Sequence, residues 1–450
     1  MSSKISSQKI WIIILFSLIL VSIVPFFSSN ASIVLLWLVF LWTFLLAFLF
    51  PKIGIFLIIF IRPILDIFGS EDILNITGVG LNTASLFALA TITYSVWIII
   101  WKKSTKTPPL SLPWLIFLGA AFFSSFISLS LKISISEFLR LLSIFALFFI
   151  AYNTINKHNY AQFIKTVILS ALIPSGFAVY QFITKTGITL PFEGIYNRIY
   201  GTFAHPNLFA YYLVLAIGLS VFILLSNKRK EMNNYFFAIP LVFFLVMLTL
   251  TYTRGAWLAI VLMFSIIGVL RFRSLLIAFL VFIIAFYIFV PVVQNRVNDL
   301  FNSSPDSSIS WRKTLWKDAL GYYQEKPITG FGTGLAQTLI LSKRGEEMGS
   351  PDPHNDYLKI ALENGILGLA SYLLLIISLL ITLLEHFKKN THSAVVNISL
   401  LLLAISASLF VMSLADNILR NTALMWAYWS ILGGFFAVSP ATKKFRKENI

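Results

Sequence analysis

The chain has 450 residues, of which 58% are hydrophobic, 16% aromatic and only 12% charged. Soluble domains contain roughly 45–50% apolar and 25% charged residues, so this composition excludes a soluble fold and indicates an all-α, polytopic membrane protein. The net charge of +16 would suggest nucleic acid binding in a soluble protein, whereas here it first indicates loops of unequal charge on the two sides of a membrane. Because cysteine is absent, disulfides, thiolate metal sites and cysteine nucleophiles are excluded.

Apolar stretches close to 20 residues long recur from end to end and predict about 12–14 transmembrane helices. Fourteen segments fit, in chain order 10–27, 32–50, 53–68, 82–101, 112–131, 136–155, 160–182, 206–226, 235–251, 256–270, 274–292, 357–384, 394–415 and 421–438. The weakest are 53–68, which contains Arg62 and Asp66, and 256–270, which is short. The first apolar run lacks a small-residue cleavage site, so we interpret it as a retained helix.

The distribution of basic residues predicts the orientation in the membrane. With the N-terminus in the cytoplasm, every strongly basic short loop falls on the cytoplasmic side, as the positive-inside rule requires. These loops and the C-terminal tail contain Lys102, Lys103, Lys106, Lys157, Lys228, Arg229, Lys230, Arg271, Arg273, Lys388, Lys389, Lys443, Lys444, Arg446 and Lys447. An even number of helices returns the C-terminus to the cytoplasm. The excess positive charge is therefore an orientation signal and does not indicate a nucleic acid partner.

Three segments are predicted to lie outside: a short acidic loop at Glu71 and Asp72, a loop at 184–205, and a large extracytoplasmic loop at 293–353. Loops of the last length are usually functional. An amphipathic helix is predicted after Ser308 from residues at helical spacing, namely Trp311, Leu315, Trp316, Ala319, Leu320 and Tyr323. This helix either lies on the membrane or over a cavity, or simply packs against the bundle. We treat residues 1–450 as a single integral membrane domain.

The usual soluble-enzyme signatures are missing, and the Gly-rich segment 328–337 is predicted to be a turn. Of five histidines, only His205 and His354 are predicted to face outward. His354 lies between a Pro-containing loop and an apolar helix, where it can act as a general base near neutral pH or simply form an interfacial hydrogen bond. Asp356 is a candidate to orient it. Asp352, His354 and Asp356 alternate as metal ligands can, but no supporting cluster accompanies them, so no metal is predicted.

Two arginines near the predicted outer face suggest an anionic ligand. Arg198 precedes a helix, and Arg254 lies between two apolar spans. An arginine within membrane depth costs roughly 2.5–3.5 kcal/mol on insertion scales, so it usually has a partner or faces a polar cavity. A guanidinium group can form bidentate hydrogen bonds with phosphate oxygens, which suggests a lipid diphosphate as the ligand. The alternative is that the arginine side chains snorkel to lipid headgroups. Two structural ion pairs are predicted at helical spacing: Arg140 with Glu137, and Arg62 with Asp66.

Three motifs carry a resemblance to a known family. They are RIYGTFAHPNLFAYYL at 198–213, TYTRGAWLA at 251–259, and His354-Asn355 followed after nine residues by GILG, Gly365 to Gly368. With these motifs the chain resembles the O-antigen ligase and O-antigen polymerase superfamily, bacterial membrane glycosyltransferases of the Wzy/WaaL type. The stretch 311–334 is similar to the outer loop of that family. The strong resemblance covers an O-antigen ligase-like core at 198–370, and the N-terminal third matches only as hydrophobic helices.

The resemblance implies transfer of a glycan from an undecaprenyl diphosphate carrier to an acceptor hydroxyl on the outer face of the bacterial plasma membrane, without metal or other cofactor. Carried over by motif, His354 activates the acceptor hydroxyl, while Arg198 and Arg254 bind the diphosphate and stabilise the leaving group. The expected stereochemistry is inversion by one in-line attack. Four residues are candidates for supporting roles: Asn355, Asp356, His205 and Arg312.

Ligase and polymerase activities both fit the sequence. A ligase transfers once to a lipid or glycan acceptor and is favoured by the third motif, whereas a polymerase repeats the step on a second carrier-linked unit. The expected partners are a lipid-linked glycan donor, an acceptor glycan or lipid, and membrane lipids. A solute transporter of the bicarbonate type is the alternative from another class. Transporters often show inverted repeats and mid-membrane charges, whereas the candidate residues here cluster near one face and no repeat is evident.

Overall fold

The computed structural model describes residues 29–68, 72–76, 79–102, 104–190, 195–225, 236–289, 293–294, 298, 308–345 and 350–439. Within these ranges helices dominate, and strands form only two short antiparallel hairpins. The fold therefore confirms the predicted all-α polytopic class. The predicted first span, 10–27, lies outside the described residues.

The first half of the described chain contains seven helices and both hairpins. The helices are α1 (Ser29–Leu49), α2 (Pro51–Ile61), α3 (Thr83–Trp101), α4 (Ser111–Phe126), α5 (Leu131–Thr154), α6 (Tyr160–Ser170) and α7 (Leu172–Thr184). The strands are β1 (Asp72–Ile76), β2 (Val79–Asn82), β3 (Ile188–Leu190) and β4 (Ile195–Arg198). β1 pairs with β2, and β3 pairs with β4 so that Ile188 lies opposite Arg198.

The second half contains the helices that surround the candidate site. They are α8 (Pro206–Leu225), α9 (Ala238–Leu250), α10 (Arg254–Leu270), α11 (Arg273–Phe289), α12 (Ser308–Glu325), α13 (Ala336–Arg344), α14 (Asp356–Lys389), α15 (Ser393–Met412) and α16 (Thr422–Val438). α16 packs along α5, and α14 lies against both α4 and α15. This arrangement brings the start of α14 next to the loop that joins α15 to α16.

Length and apolarity identify the membrane spans. Five helical segments of at least 18 residues are apolar enough to cross a bilayer: Leu131–Thr154, Tyr160–Thr184 (α6 and α7 together), Pro206–Leu225, Asp356–Lys389 and Ser393–Met412. Seven further apolar helical segments of 10–17 residues accompany them in the described ranges, among them Leu38–Leu49 within α1 and Ser85–Trp101 within α3. Every predicted span from 32–50 onward contains a helix.

Two predicted spans are not continuous helices, and a proline explains each break. α2 ends at Ile61 and the chain continues as a 3₁₀ helix, Arg62–Phe68. Pro63 cannot donate a hydrogen bond to the carbonyl four residues earlier, and its ring crowds that carbonyl. The predicted span 160–182 is divided between α6 and α7 because Pro174 has the same effect on the carbonyl of Ser170.

The outer surface of the helices is strongly apolar. Leu41 is 58% exposed, Ile100 69% and Leu112 68%, whereas Trp114, Trp426 and other large aromatic side chains are fully buried. Water-soluble proteins rarely expose contiguous apolar surface of this kind. Lipid is the solvent that suits these side chains, which agrees with a membrane location.

Helix α14 has a break that holds a glycine-rich turn. Gly365 has φ 63° and ψ −164° inside the helix, a conformation that favours glycine. The turn crosses the break and is bonded to it: Phe331 N donates to Leu362 O at 3.1 Å, and Ile366 N donates to Pro327 O at 2.8 Å. The predicted turn at 328–337 is therefore confirmed.

The predicted amphipathic helix is α12, and it packs against α14. Leu315 and Ala319 are fully buried, while Leu320, predicted on the same face, is 45% exposed. Two indole groups hold the segment that precedes α14: Trp311 Nε1 donates to Ser350 O at 3.1 Å, and Trp316 Nε1 donates to Pro353 O at 2.7 Å. Of the two interpretations left open by the sequence, the geometry favours a packing helix.

Candidate functional site at the start of helix α14

The segment that leads into α14 is joined to the loop between α15 and α16 by hydrogen bonds. Asp356 N donates to Ser413 O at 2.9 Å, and Leu419 N donates back to Asp356 Oδ2 at 2.9 Å. Asn355 N donates to Asn417 Oδ1 at 3.1 Å. Asn355 also caps α14, since its side chain accepts from Leu358 N at 3.0 Å. These bonds fix the two segments relative to each other.

His354 lies between these bonds and contacts Asp416. Its φ of 49° is in the left-handed region, which few residues other than glycine occupy and where histidine, asparagine and aspartate are enriched. His354 Nδ1 is 3.2 Å from Asp416 Oδ1. An ionised carboxylate only accepts, so Nδ1 carries the hydrogen, and in the neutral imidazole Nε2 is then the ring nitrogen with the lone pair.

The surroundings of Asp416 keep its carboxylate ionised. Burial alone would raise its pKa, but the hydrogen bond and charge of His354, the charge of Arg312 and the backbone N–H of Asn417 together lower the pKa to about 2. The other oxygen, Oδ2, accepts from Asn207 Nδ2 at 2.6 Å. Asp416 therefore joins His354 to the first turn of α8.

Arg198 completes this hydrogen-bonded chain. Its Nη2 donates to Asn207 Oδ1 at 3.1 Å and to Thr253 Oγ1 at 3.3 Å, and its Nε donates to Thr251 O at 2.9 Å. The residue is only 6% exposed. The three motifs that carried the family resemblance, far apart in sequence, thus meet around one chain of contacts from Arg198 through Asn207 and Asp416 to His354.

His205 lies beside this chain and is bonded differently from His354. Its Nδ1 accepts from Asn207 N at 3.1 Å. Desolvation and the positive charge of Arg198 lower its pKa, so the neutral imidazole is favoured. A neutral ring whose Nδ1 accepts must carry its hydrogen on Nε2, and it presents a donor where His354 presents an acceptor.

Asp352 ties together three elements close to His354. Its carboxylate accepts from Asn417 Nδ2, from Gln337 Nε2 at 2.8 Å and from Arg420 Nη1 at 2.8 Å. Asp352, His354 and Asp356 therefore form hydrogen bonds with different partners. Among the residues that the structure describes, no three metal-ligating side chains come together.

A cavity of about 780 Å³ opens in front of His354, within the size range of pockets for small organic ligands. His354, Asp416, Asn207 and His205 line one side. The rest of the lining comes from the 3₁₀ helix, α3, α5, α13, the segments before α8 and α14, the α15–α16 loop and the starts of α8 and α16: Arg62, Asp66, Ser85, Ala88, Leu89, Lys132, Ile135, Ser136, Glu137, Leu139, Arg140, Ala204, Leu208, Gln337, Ser350, Asp352, Asn417, Arg420, Asn421 and Thr422.

Two ion pairs predicted from helical spacing lie at this cavity and are confirmed. Arg140 is bidentate on Glu137, at 2.7 and 2.8 Å, and its Nη1 donates to Leu419 O at 2.7 Å. Arg62 Nη1 lies 2.5 Å from Asp66 Oδ1. Charged groups near membrane depth are costly unless they are paired, and these pairs meet that requirement.

The predicted site residues are distributed unequally around the cavity. His354 and His205 line it, whereas Arg198 lies behind Asn207. Arg254 is the first, partly buried residue of α10, directly after Thr253, and Arg312 lies on α12. Asp356 does not orient His354 as expected; Asp416 does, because the carboxylate of Asp356 is used by Leu419 N.

Sequence reasoning missed Asp416, Asn207 and Arg420. A signal was present, because the short run from Asp416 to Asn421 places polar and charged side chains between two apolar spans. Polar residues at such a junction are costly unless they have a function or a partner. Their proximity to His354 depends on the packing of α14 against α15, which one sequence does not reveal.

The fold and the site define an all-α, multi-spanning membrane protein with a polar cavity at one end of its helices. Residues 239–373 match the family model described as O-antigen ligase. The matched segment contains two of the three motifs, those at 251–259 and 354–368, and it supports the predicted resemblance to the O-antigen ligase and polymerase family. The family supports a ligase-like role in surface polysaccharide biosynthesis. No curated protein matches the chain.

Proposed function

We propose that this protein transfers a glycan from an undecaprenyl diphosphate carrier to an acceptor hydroxyl on the outer face of the bacterial plasma membrane. The observation that supports this most directly is the contact between His354 Nδ1 and Asp416 Oδ1 at 3.2 Å, at the edge of a cavity of about 780 Å³. A histidine held by a buried carboxylate has the arrangement of a general base. The O-antigen ligase match supplies the class of substrate.

The proposed step is a single in-line displacement with inversion. Nε2 of His354 takes the proton of the acceptor hydroxyl, and the acceptor oxygen forms a bond to the anomeric carbon. The bond between that carbon and the diphosphate oxygen breaks, and the diphosphate leaves with the electron pair. Asp416 stabilises the imidazolium that forms, as a buried carboxylate does in other histidine-dependent enzymes.

Arg198 and Arg254 are the proposed ligands of the diphosphate. Arg254 is the better placed of the two for direct contact, because it is partly exposed and begins helix α10, where backbone N–H groups and the helix dipole favour an anion. Arg198 is bonded to Asn207, Thr251 and Thr253, so it also holds the site together. Positive charge near the leaving oxygens stabilises them as the bond breaks.

The test is incubation of the purified protein in lipid nanodiscs with a lipid-linked oligosaccharide, in the presence of EDTA. Release of the carrier diphosphate together with an inverted glycosidic product supports the proposal. A ladder of products identifies a polymerase, and a single transfer to an added acceptor identifies a ligase. Solute uptake into vesicles without glycan turnover would instead identify a transporter and overturn the proposal.

The proposed orientation has its own test. Reporter fusions at residues 104 and 229 are expected to read cytoplasmic, and a fusion at residue 320, within α12, is expected to read extracytoplasmic. The proposed orientation has both termini inside and the site outside, where lipid-linked glycans are presented. A cytoplasmic signal at residue 320 would contradict the proposed reaction on the outer face.

A further inference from the structure

The cavity in front of His354 is larger than a proton transfer needs, and most of its lining has no place in the proposed step. His354 Nδ1 is occupied by Asp416, so an acceptor hydroxyl must reach Nε2 from within the cavity. The arginines proposed to hold the diphosphate do not line it. The space therefore suits sugar rings better than phosphate groups.

The charges along the lining are balanced. Four cations, Arg62, Lys132, Arg140 and Arg420, face four carboxylates, Asp66, Glu137, Asp352 and Asp416. Arg62 is paired with Asp66, Arg140 with Glu137 and Arg420 with Asp352, at 2.5, 2.7 and 2.8 Å. A ligand with a net charge would compete with these existing pairs.

Paired charges and amides instead suit uncharged hydroxyl groups. A sugar hydroxyl both donates and accepts, so it can bridge a guanidinium and its carboxylate without breaking the pair. Gln337, Asn417 and Asn421 add amide groups to the same lining. The side of the cavity formed by α5, α13 and Arg420 therefore has the chemistry of a polyol site.

Ser136 lies in this part of the lining and is the best position at which to probe it. It is exposed on α5, one residue before Glu137, and it faces the cavity. Across the ranges that the structure covers, its hydroxyl makes no hydrogen bond to protein, so a substitution there removes no internal contact. Ile135 and Leu139 flank it on the same helix.

We propose that the α5 side of the cavity, around Ser136 and the Glu137–Arg140 pair, is the subsite for the acceptor, and that it binds an uncharged glycan. This inference rests on the proposed function, since it assumes that His354 activates an acceptor hydroxyl. Ser136 here is a specificity-determining position, and it takes no part in the chemical step.

The first test is Ser136→Trp, which fills the subsite, with Leu131→Trp as the matched control. Leu131 is on the same helix and 51% exposed, and it does not line the cavity. The probes are a lipid-linked oligosaccharide as donor and a delipidated acceptor glycan, both prepared from the cells that make the protein. Carrier release and glycan transfer are measured separately. Ser136→Trp is expected to raise the KM for the acceptor at least tenfold and to leave the KM for the donor within threefold, while Leu131→Trp changes neither.

The second test addresses the charge of the acceptor. Ser136→Lys and Ser136→Asp add opposite charges at one position, so an uncharged acceptor is expected to respond to both in the same direction and within about threefold. Opposite shifts of tenfold or more would overturn the uncharged class: an acidic acceptor would bind better to the lysine variant and worse to the aspartate variant.

The outcomes separate this inference from the proposed function. If the wild-type protein transfers no glycan at all, the proposed function fails and the subsite fails with it. If the wild-type protein transfers glycan and Ser136→Trp keeps the wild-type KM for the acceptor, only the subsite is overturned. Equal increases in the KM values for donor and acceptor would also overturn it.

Discussion

The two ends of helix α14 each carry a histidine, and their surroundings differ in kind. His354, directly before the helix, contacts the carboxylate of Asp416 and faces a cavity. His386, in the last turn, has its Nδ1 2.9 Å from Ser439 Oγ, and its ring packs against Phe435 and Phe436 with centroid distances of 5.3 and 5.8 Å. His354 is thus hydrogen-bonded to a carboxylate at the edge of a cavity, whereas His386 contacts a hydroxyl and two aromatic rings and does not line that cavity.

The difference shows how a single helix serves both a site and a membrane core. At its first turns α14 carries Asp356, Lys359 and Glu363, all buried and all with polar partners. Beyond the break at Gly365 it is almost entirely apolar until its last two turns. A histidine side chain is therefore a poor indicator of function by itself, and the carboxylate and cavity beside it are the better ones.

The largest expected effect is a loss of glycan transfer on removal of His354, compared with removal of His386. His354→Ala is expected to lower glycan attachment or elongation by 10²- to 10⁴-fold, the usual contribution of a general base, whereas His386→Ala changes it by less than about threefold. Both variants are compared in a deletion strain, with membrane expression measured alongside surface glycan. Full complementation by His354→Ala would show that His354 is not needed for glycan transfer, so that the two histidines of α14 would not differ in function.

The next effect concerns the carboxylate that distinguishes His354. Asp416→Asn is expected to slow transfer roughly 100-fold, because the amide no longer stabilises a positive charge on the imidazole. Asp318→Asn is the control: that carboxylate is buried too, but it pairs with Lys343 at 3.1 Å and with Arg344, and none of these three residues lines the cavity. Rates are normalised to folded protein. Equal losses in both variants would mean that burial, and not contact with His354, is what matters.

The break in α14 is expected to influence stability. Gly365→Ala should lower the free energy of unfolding by about 2–3 kcal/mol, since φ of 63° is strained for alanine and a Cβ there would meet the carbonyl of Ile328. Gly119→Ala in α4 has open space around the new Cβ and is expected to be neutral or stabilising by up to about 1 kcal/mol. Thermal unfolding in detergent measures both. Similar thermal unfolding midpoints for the two variants would show that the backbone conformation at Gly365 does not contribute to stability.

The smallest expected effect is a dependence of stability on pH. The pKa of Asp416 is about 2, below its ordinary value of 3.8, so its contribution is complete above about pH 4 and is lost as the pH falls through 2. That shift corresponds to about 2 kcal/mol at 1.36 kcal/mol per pKa unit. The difference in unfolding free energy between wild type and Asp416→Asn is expected to shrink between pH 5 and pH 2. A constant difference over that range would show that the carboxylate is not stabilised by its charge.

The sequence predicted the apolar half of the molecule better than the polar one. Span positions follow from runs of apolar residues, and the ion pairs Arg140–Glu137 and Arg62–Asp66 follow from helical spacing, so both were predictable. The break between α6 and α7 is also encoded locally, by Pro174. The hairpin that ends at Arg198 was missed because its strands are three and four residues long.

The contacts of the site depend on tertiary packing and were not predictable in the same way. His354 and Asp416 are 62 residues apart, and Asn207 is 209 residues from Asp416. No local pattern encodes such distances, whereas the three motifs identified His354 and Arg198 through family resemblance. Proximity in sequence favours Asp356 as the partner of His354, but the packing of α14 against α15 brings Asp416 to the imidazole instead.

If His354 is the base of a glycan transfer, its removal must lower the initial rate of that transfer. Wild-type, His354→Ala and His386→Ala proteins in nanodiscs receive the same lipid-linked donor and acceptor. The His354→Ala protein is expected to keep the wild-type KM for the donor within about threefold while kcat falls by 10²- to 10⁴-fold, and the His386→Ala protein is expected to keep both values. A wild-type kcat in the His354→Ala protein would show that His354 is not the base.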